Sequence, residues 1–289
     1  MEYIIASLNE NLAKKLLANK ANALQYLQKL NEIKPNKDLD NIKQTIATSE
    51  VWKLIVKHWE YETGKNIIRS LFLASAKYKR GKDSANAISD LIKEWKELNL
   101  GFVEWPCSQG DFDNFVQRIN AIDESGIIKD EKVKIAAVKY RRLKEINTVR
   151  NDYLETLIFE KNQNIVPTLD HRRGVDFFIN GVSFDQKVAK SPTKQFKDEY
   201  GEGWKEFAIE NPFKVAEYLY QYQDEGRFGS DPRLYIVYLD EDIPVHSLKS
   251  KIDLIDITNP TEITFQYSHK DIGVKQYKTT CFVVLLSNG

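Results

Sequence analysis

Cysteine and histidine are scarce in this chain: its 289 residues hold two of the first and four of the second. Cys107 and Cys281 lie far apart and form no metal-ligand spacing. They read as packed thiols of a reducing compartment, and the expected location is the cytoplasm. His58 stands alone beside Trp59, while His246 and His269 fall in polar segments, so none of the three is given a ligand role. Long apolar runs are missing as well. No stretch approaches the roughly 18–20 apolar residues that span a bilayer, and the start, Met1–Ala6, has no basic leader region. Net charge is absent, because 42 Lys and Arg balance 42 Asp and Glu. A nucleic-acid binder usually carries a positive surplus, so the bulk composition points away from one. No repeat period or low-complexity segment is present. What remains, 42% hydrophobic and 29% charged residues, is an ordinary globular profile, long enough for one large domain or two.

From Glu2 to about Leu98 the pattern is helical. Leu12, Leu16 and Leu17, then Ala23, Leu24, Leu27 and Leu30, recur at three-to-four spacing, which leaves one buried stripe per helix. Pro35-Asn36 breaks the run, and Thr48-Ser49-Glu50 is a helix-start signal. Ser84 is placed to cap a helix over Ala85–Leu98. Between Gly101 and Gly126 the pattern loosens, with a short helix expected around Phe112–Ile122. Asp123-Glu124-Ser125-Gly126 is the best boundary, dividing a helical domain, 1–126, from a second domain, 127–289. A long helix is expected from about Asp130 to Lys161, with Ile146, Val149, Tyr153 and Leu157 as its apolar stripe.

The second domain turns on Gly174–Val188. Two apolar runs, Val175–Ile179 and Val182–Val188, flank Asn180-Gly181. Asn-Gly between strand-like runs is the strongest short hairpin signal, since both residues tolerate the positive φ of a type I′ turn. Alternation along a strand puts Asp185 and Lys187 on one side, and Asp176 on the paired strand lies close to them. Two carboxylates and an ammonium then share a small patch of apolar sheet, where their charge is costly unless a divalent cation offsets it. The plain alternative is a hairpin with an Asp–Lys pair on its solvent face. Phe177, Phe178 and Phe184 speak against that, because they imply that both faces are covered.

Asp176, followed nine residues later by Asp185-Gln186-Lys187, resembles the catalytic motif of the PD-(D/E)xK nucleases, the superfamily of most type II restriction endonucleases. Val175 stands where the family usually has proline. The resemblance covers about Lys139 to Asp240 and implies an α/β (α+β) fold, a mixed sheet core flanked by helices, behind a mostly helical N-terminal domain. The family order is helix-strand-strand-strand-helix-strand. The long helix supplies the first element, Pro212–Tyr220 the second helix, and the apolar run Arg233–Leu239 the last strand. Ile263–Tyr267 and Thr280–Leu286 are strand-like, with their place in the sheet open. The resemblance further implies Asp176, Asp185 and Lys187 as catalytic residues, with Asp176 and Asp185 holding Mg²⁺. Many members carry a glutamate on the preceding helix that reaches the metal site; Glu155 looks most like it and is expected among the catalytic residues, with Glu160 as the alternative. Mg²⁺ would polarise the scissile phosphate and activate water, and Lys187 would hold charge in the transition state.

Basic residues flank this centre despite the neutral whole. Lys132, Lys134, Lys139, Arg141, Arg142, Lys144 and Arg150 crowd one segment; His171, Arg172 and Arg173 precede the hairpin and Lys190 follows it. The last four are the expected phosphate contacts. The expectation is a Mg²⁺-dependent, sequence-specific endonuclease of double-stranded DNA, acting as a homodimer and paired with a DNA methyltransferase. Two alternatives are a defence or repair nuclease of relaxed specificity and a non-catalytic nucleic-acid-binding protein.

Overall fold

The computed structural model describes residues 4–40, 42, 45–97, 109–172, 174–240 and 242–288. The chain opens with helices α1 (Glu10–Leu17), α2 (Lys20–Ile33), α3 (Thr48–Lys57), α4 (Tyr61–Ala74), α5 (Ala76–Lys82), α6 (Ser84–Glu97) and α7 (Gln109–Ala121). Asn9 and Asn19 cap α1 and α2, their side chains accepting from the Leu12 and Asn22 amides, which would otherwise be orphan donors. The predicted start at Thr48 is correct, although no side chain caps it. Ser84 is not the cap expected: it is already helical, and its hydroxyl donates back to the Arg80 carbonyl. Helix α8 (Gly126–Lys161) starts four residues earlier than its apolar stripe suggests.

The sheet follows: β1 (Ile165–Arg172), β2 (Val175–Ile179), β3 (Val182–Ala189), then α9 (Lys194–Tyr200), α10 (Trp204–Glu210), α11 (Pro212–Gln221), β4 (Arg233–Tyr238), α12 (Leu248–Asp253), β5 (Thr261–His269) and β6 (Gly273–Leu286). Helix α11 begins at Pro212, as its sequence suggests, and ends at Gln221. The six strands form one mixed sheet in the order β1-β2-β3-β4-β6-β5. Strands β1, β2 and β3 are antiparallel neighbours, β4 runs parallel to both β3 and β6, and β5 is antiparallel to β6. The fold is therefore mixed α/β with a helical N-terminal region, and β5 and β6 extend the main sheet.

Three apolar clusters cover the sheet. On one face α8 packs Leu154, Leu157 and Ile158 against Phe177, Ile179, Phe184, Leu234 and Ile236. Alternation sends Tyr235, Val237 and Ala189 to the opposite face, under Phe196 and α11. The N-terminal helices form a third cluster that includes Phe159 of α8 and Val166, Val175 and Phe178 of the first two strands. Their core is thus shared with the sheet. Buried Arg69 of α4 fastens this joint by donating to the Asn162 and Ile165 carbonyls while its guanidinium lies 4.2 Å from the Phe159 ring. Ile5 joins from the start of the chain, its amide donating to Gly181 at 2.9 Å. Among the described residues no helix is long and apolar enough to cross a membrane. Cys281 is buried and unpaired, its thiol pushed up to about 12 by burial; Cys107 lies outside the described residues.

Candidate active site

The hairpin turn is built as its residues predict: Asn180 and Gly181 both have positive φ, 52° and 83°. This sets the β2–β3 register, with Ile179 opposite Val182 and Phe177 opposite Phe184. The ladder ends at that pair, and Asp176 and Asp185 are the next residue on each strand. There the backbone pairing gives way to a side chain, for the Gln186 amide donates to Asp176 Oδ2 at 2.7 Å. The neighbouring strand yields at the same point. The β1–β2 register shifts between Pro167 and Arg172, opposite Asp176, and the Thr168 hydroxyl meets the Asp176 carbonyl at 3.3 Å. Asp176 thus sits at a break in the regular ladder while its carbonyl still accepts from Thr168.

Asp185 and Lys187 share a face, as alternation requires, and Lys187 Nζ lies 2.5 Å from Asp185 Oδ2. Asp185 is only 13% exposed and Lys187 47%, so the carboxylate is covered while the ammonium reaches solvent. Glu155 arrives from α8. It sits one turn before Phe159, on the side of the helix turned to the N-terminal cluster rather than on the Leu154–Ile158 side. Glu155 is buried at 4% exposure. Glu160 takes no part: it accepts from the Tyr78 hydroxyl at 2.7 Å and faces Lys249. Of the two glutamates, Glu155 is the one whose charge acts on Asp176.

Electrostatics join the three acids into one centre. Burial, then the neighbouring charges of Glu155 and Asp185, push Asp176 from its ordinary 3.8 up to about 7, although the Gln186 amide and Lys77 pull the other way. Crowded carboxylates of this kind hold a proton or a cation near neutral pH. Among the described residues no three His, Cys, Asp or Glu side chains are gathered as a complete ligand set. Mg²⁺ asks for less, since one or two carboxylates plus water and substrate oxygens complete its shell. Asp176 and Asp185 fit that requirement.

Two cations escaped the sequence reading. Arg233, at the start of β4, is paired with Asp185 in the parallel β3–β4 register. It is 7% exposed, donates to the Tyr235 hydroxyl at 3.0 Å and lies 4.8 Å from the Tyr220 ring. Burial acts against its charge, but Tyr235, Tyr220 and Asp185 outweigh this and raise its pKa. A charged residue leading an otherwise apolar central strand was the available signal. The other is Lys77 of α5, ion-paired with Glu155 and 5% exposed. Nothing in its neighbourhood of Lys79, Arg80 and Lys82 distinguishes it in sequence.

The expected phosphate contacts fare unevenly. Lys190 is exposed just beyond β3, while Arg173 and the side chains of His171 and Arg172 lie outside the described residues. The basic stretch of α8 is largely a solvated, paired face: Lys132 meets Glu124, Lys134 meets Glu131, Arg141 meets Glu145, and Arg142 meets Glu94. Comparison of the chain with protein-family models, curated proteins and solved structures found no match in any of the three.

Proposed function

We propose that the chain is a Mg²⁺-dependent endonuclease of double-stranded DNA, of the PD-(D/E)xK superfamily and similar to type II restriction enzymes. The observation that carries this reading is the hairpin itself. Asp176 and Asp185 are the next residues on adjoining strands beyond the Phe177–Phe184 pair, Lys187 lies against Asp185, and the charges of Asp185 and Glu155 both act on Asp176. The order α8-β1-β2-β3, then helices, then β4 supports it, being the helix-strand-strand-strand-helix-strand order of that superfamily.

Asp176 and Asp185 would hold the ion, which supplies Lewis acidity and positive charge at the scissile phosphate. Lys187, exposed at its tip, donates to a non-bridging phosphate oxygen and stabilises charge as it develops. A lysine suits this position because its compact, flexible ammonium can leave Asp185 for the phosphate. The Gln186 amide orients Asp176. A homodimer would match two-fold protein symmetry to a palindromic site, and a restriction enzyme of this kind would work beside a methyltransferase.

The test is incubation of the pure protein with long unmethylated duplex DNA and Mg²⁺. A fixed band pattern is expected, lost in Asp185→Asn and Lys187→Ala. A smear would indicate a relaxed defence or repair nuclease. Retention of intact DNA on the protein would leave a binding role, with Lys187–Asp185 a plain ion pair.

A further inference from the structure

The buried ion pair between Lys77 and Glu155 is a contact by which the N-terminal helices reach the acidic centre. Its geometry is set by a close helix crossing. Gly81, one turn after Lys77 on α5, lies so near α8 that a Cβ there would come within 2.1 Å of Thr156 Oγ1 and 2.5 Å of the Asp152 carbonyl oxygen. Only glycine permits that approach. Thr156 is itself pinned, its hydroxyl donating to the Asp152 carbonyl at 2.8 Å, and Arg80 Nε lies 3.2 Å from Asp152 Oδ2. Lys77 and Gly81 share a face of α5, so the glycine contact delivers the ammonium to Glu155. Both partners are 5% exposed at their side chains, and Lys77 Nζ also lies 5.9 Å from the Phe72 ring. The charges of Glu155 and Lys77 both reach Asp176, the first raising its pKa and the second lowering it.

We infer that Lys77 is a positioning residue that tunes the affinity of the acidic centre for a divalent cation, holding Glu155 in place and cancelling its charge. This inference rests on the metal-dependent reading above. It means that Glu155 acts through the pair rather than as a ligand. The field at Asp176 and Asp185 is then governed from the N-terminal region. Any partner that shifts α5 against α8 would alter metal occupancy without touching a ligand.

Charge bookkeeping gives opposite signs for the two single variants, which a merely structural pair would not. Removing the ammonium leaves one more negative charge near the ion, and removing the carboxylate leaves one more positive charge. The experiment measures Mn²⁺ dissociation constants of the full chain at pH 8 by electron paramagnetic resonance, without DNA. Lys77→Met is expected to tighten Mn²⁺ binding, and Glu155→Gln to weaken it, each by about fivefold or more. Lys77→Arg should stay near the wild type. The double variant Lys77→Met/Glu155→Gln, which removes both charges together and remains informative if Lys77→Met does not fold, should return to within about twofold of wild type. A double variant as weak as Glu155→Gln would make Glu155 a direct ligand and overturn the inference. So would a folded Lys77→Met with unchanged affinity. In either case loss of binding in Asp176→Asn would leave the metal site itself standing. Absence of Mn²⁺ binding in the wild type would overturn both readings together.

Discussion

Replacing Asp176 by asparagine should make the metal-free protein more stable while destroying its activity. The Asp176 carboxyl has its pKa raised from 3.8 to about 7 by burial and by Glu155 and Asp185. A carboxylate whose folded pKa lies above its unfolded value binds its proton more tightly in the folded state. Its contribution is therefore fully present below about pH 4, declines as pH rises toward 7, and is lost above that. A rise from 3.8 to about 7 corresponds to roughly 4 kcal/mol at most, and solvent relaxation at a partly exposed group reduces the expected effect to about 1–3 kcal/mol. Asparagine keeps an oxygen to accept from the Gln186 amide, so it removes the charge without removing that hydrogen bond. In thermal melts with EDTA, Asp176→Asn should match the wild type near pH 4 and exceed it by about 2–6 °C at pH 8. Added Mg²⁺ should close the gap by stabilising the wild type alone, by about 2.7 kcal/mol at a hundred times its dissociation constant. A difference that is the same at both pH values, or a variant less stable at pH 8, would refute the claim that crowded carboxylates strain this site.

Other substitutions test the surrounding framework. Gly81→Ala, which in an exposed helix would stabilise by up to about 1 kcal/mol, should here cost about 1–3 kcal/mol in denaturant unfolding, because its Cβ meets Asp152 backbone. Gly181→Val at φ 83° should cost about 1–3 kcal/mol by the same measurement and shift the β2–β3 register. Phe178→Ala, in the cluster joining the N-terminal helices to the sheet, should destabilise by about 3–5 kcal/mol, with both parts melting together in circular dichroism. Arg233→Met should slow cleavage by tenfold or more in a Mg²⁺-dependent assay, since Asp185 loses its buried cationic neighbour.

Local chemistry made the hairpin legible. Asn180-Gly181 accepts the positive φ that a two-residue turn demands, and strand alternation then sets Asp185 and Lys187 on one face whatever surrounds them. The long helix before it could be read from its apolar spacing, and the apolar runs Arg233–Leu239 and Ile263–Tyr267 from their composition. These are properties of neighbours in the chain. The placement of β6 between β4 and β5 is a different matter, since the partners of a strand are set by long-range packing rather than by its own residues. The same holds for the register break opposite Asp176, the pairing of Arg233 with Asp185, and the action of the Glu155 charge on Asp176. Lys77 is the extreme case. It lies 78 residues before Glu155 among similar basic residues, and only the close crossing of two helices at Gly81 separates a solvated lysine from a buried counter-ion. The sequence alone determined the turn, the alternation and the carboxylate–lysine motif, because these depend on backbone sterics over a few residues. Tertiary structure decided which distant charges meet them, because burial and electrostatic coupling exist only once the helices close on the sheet.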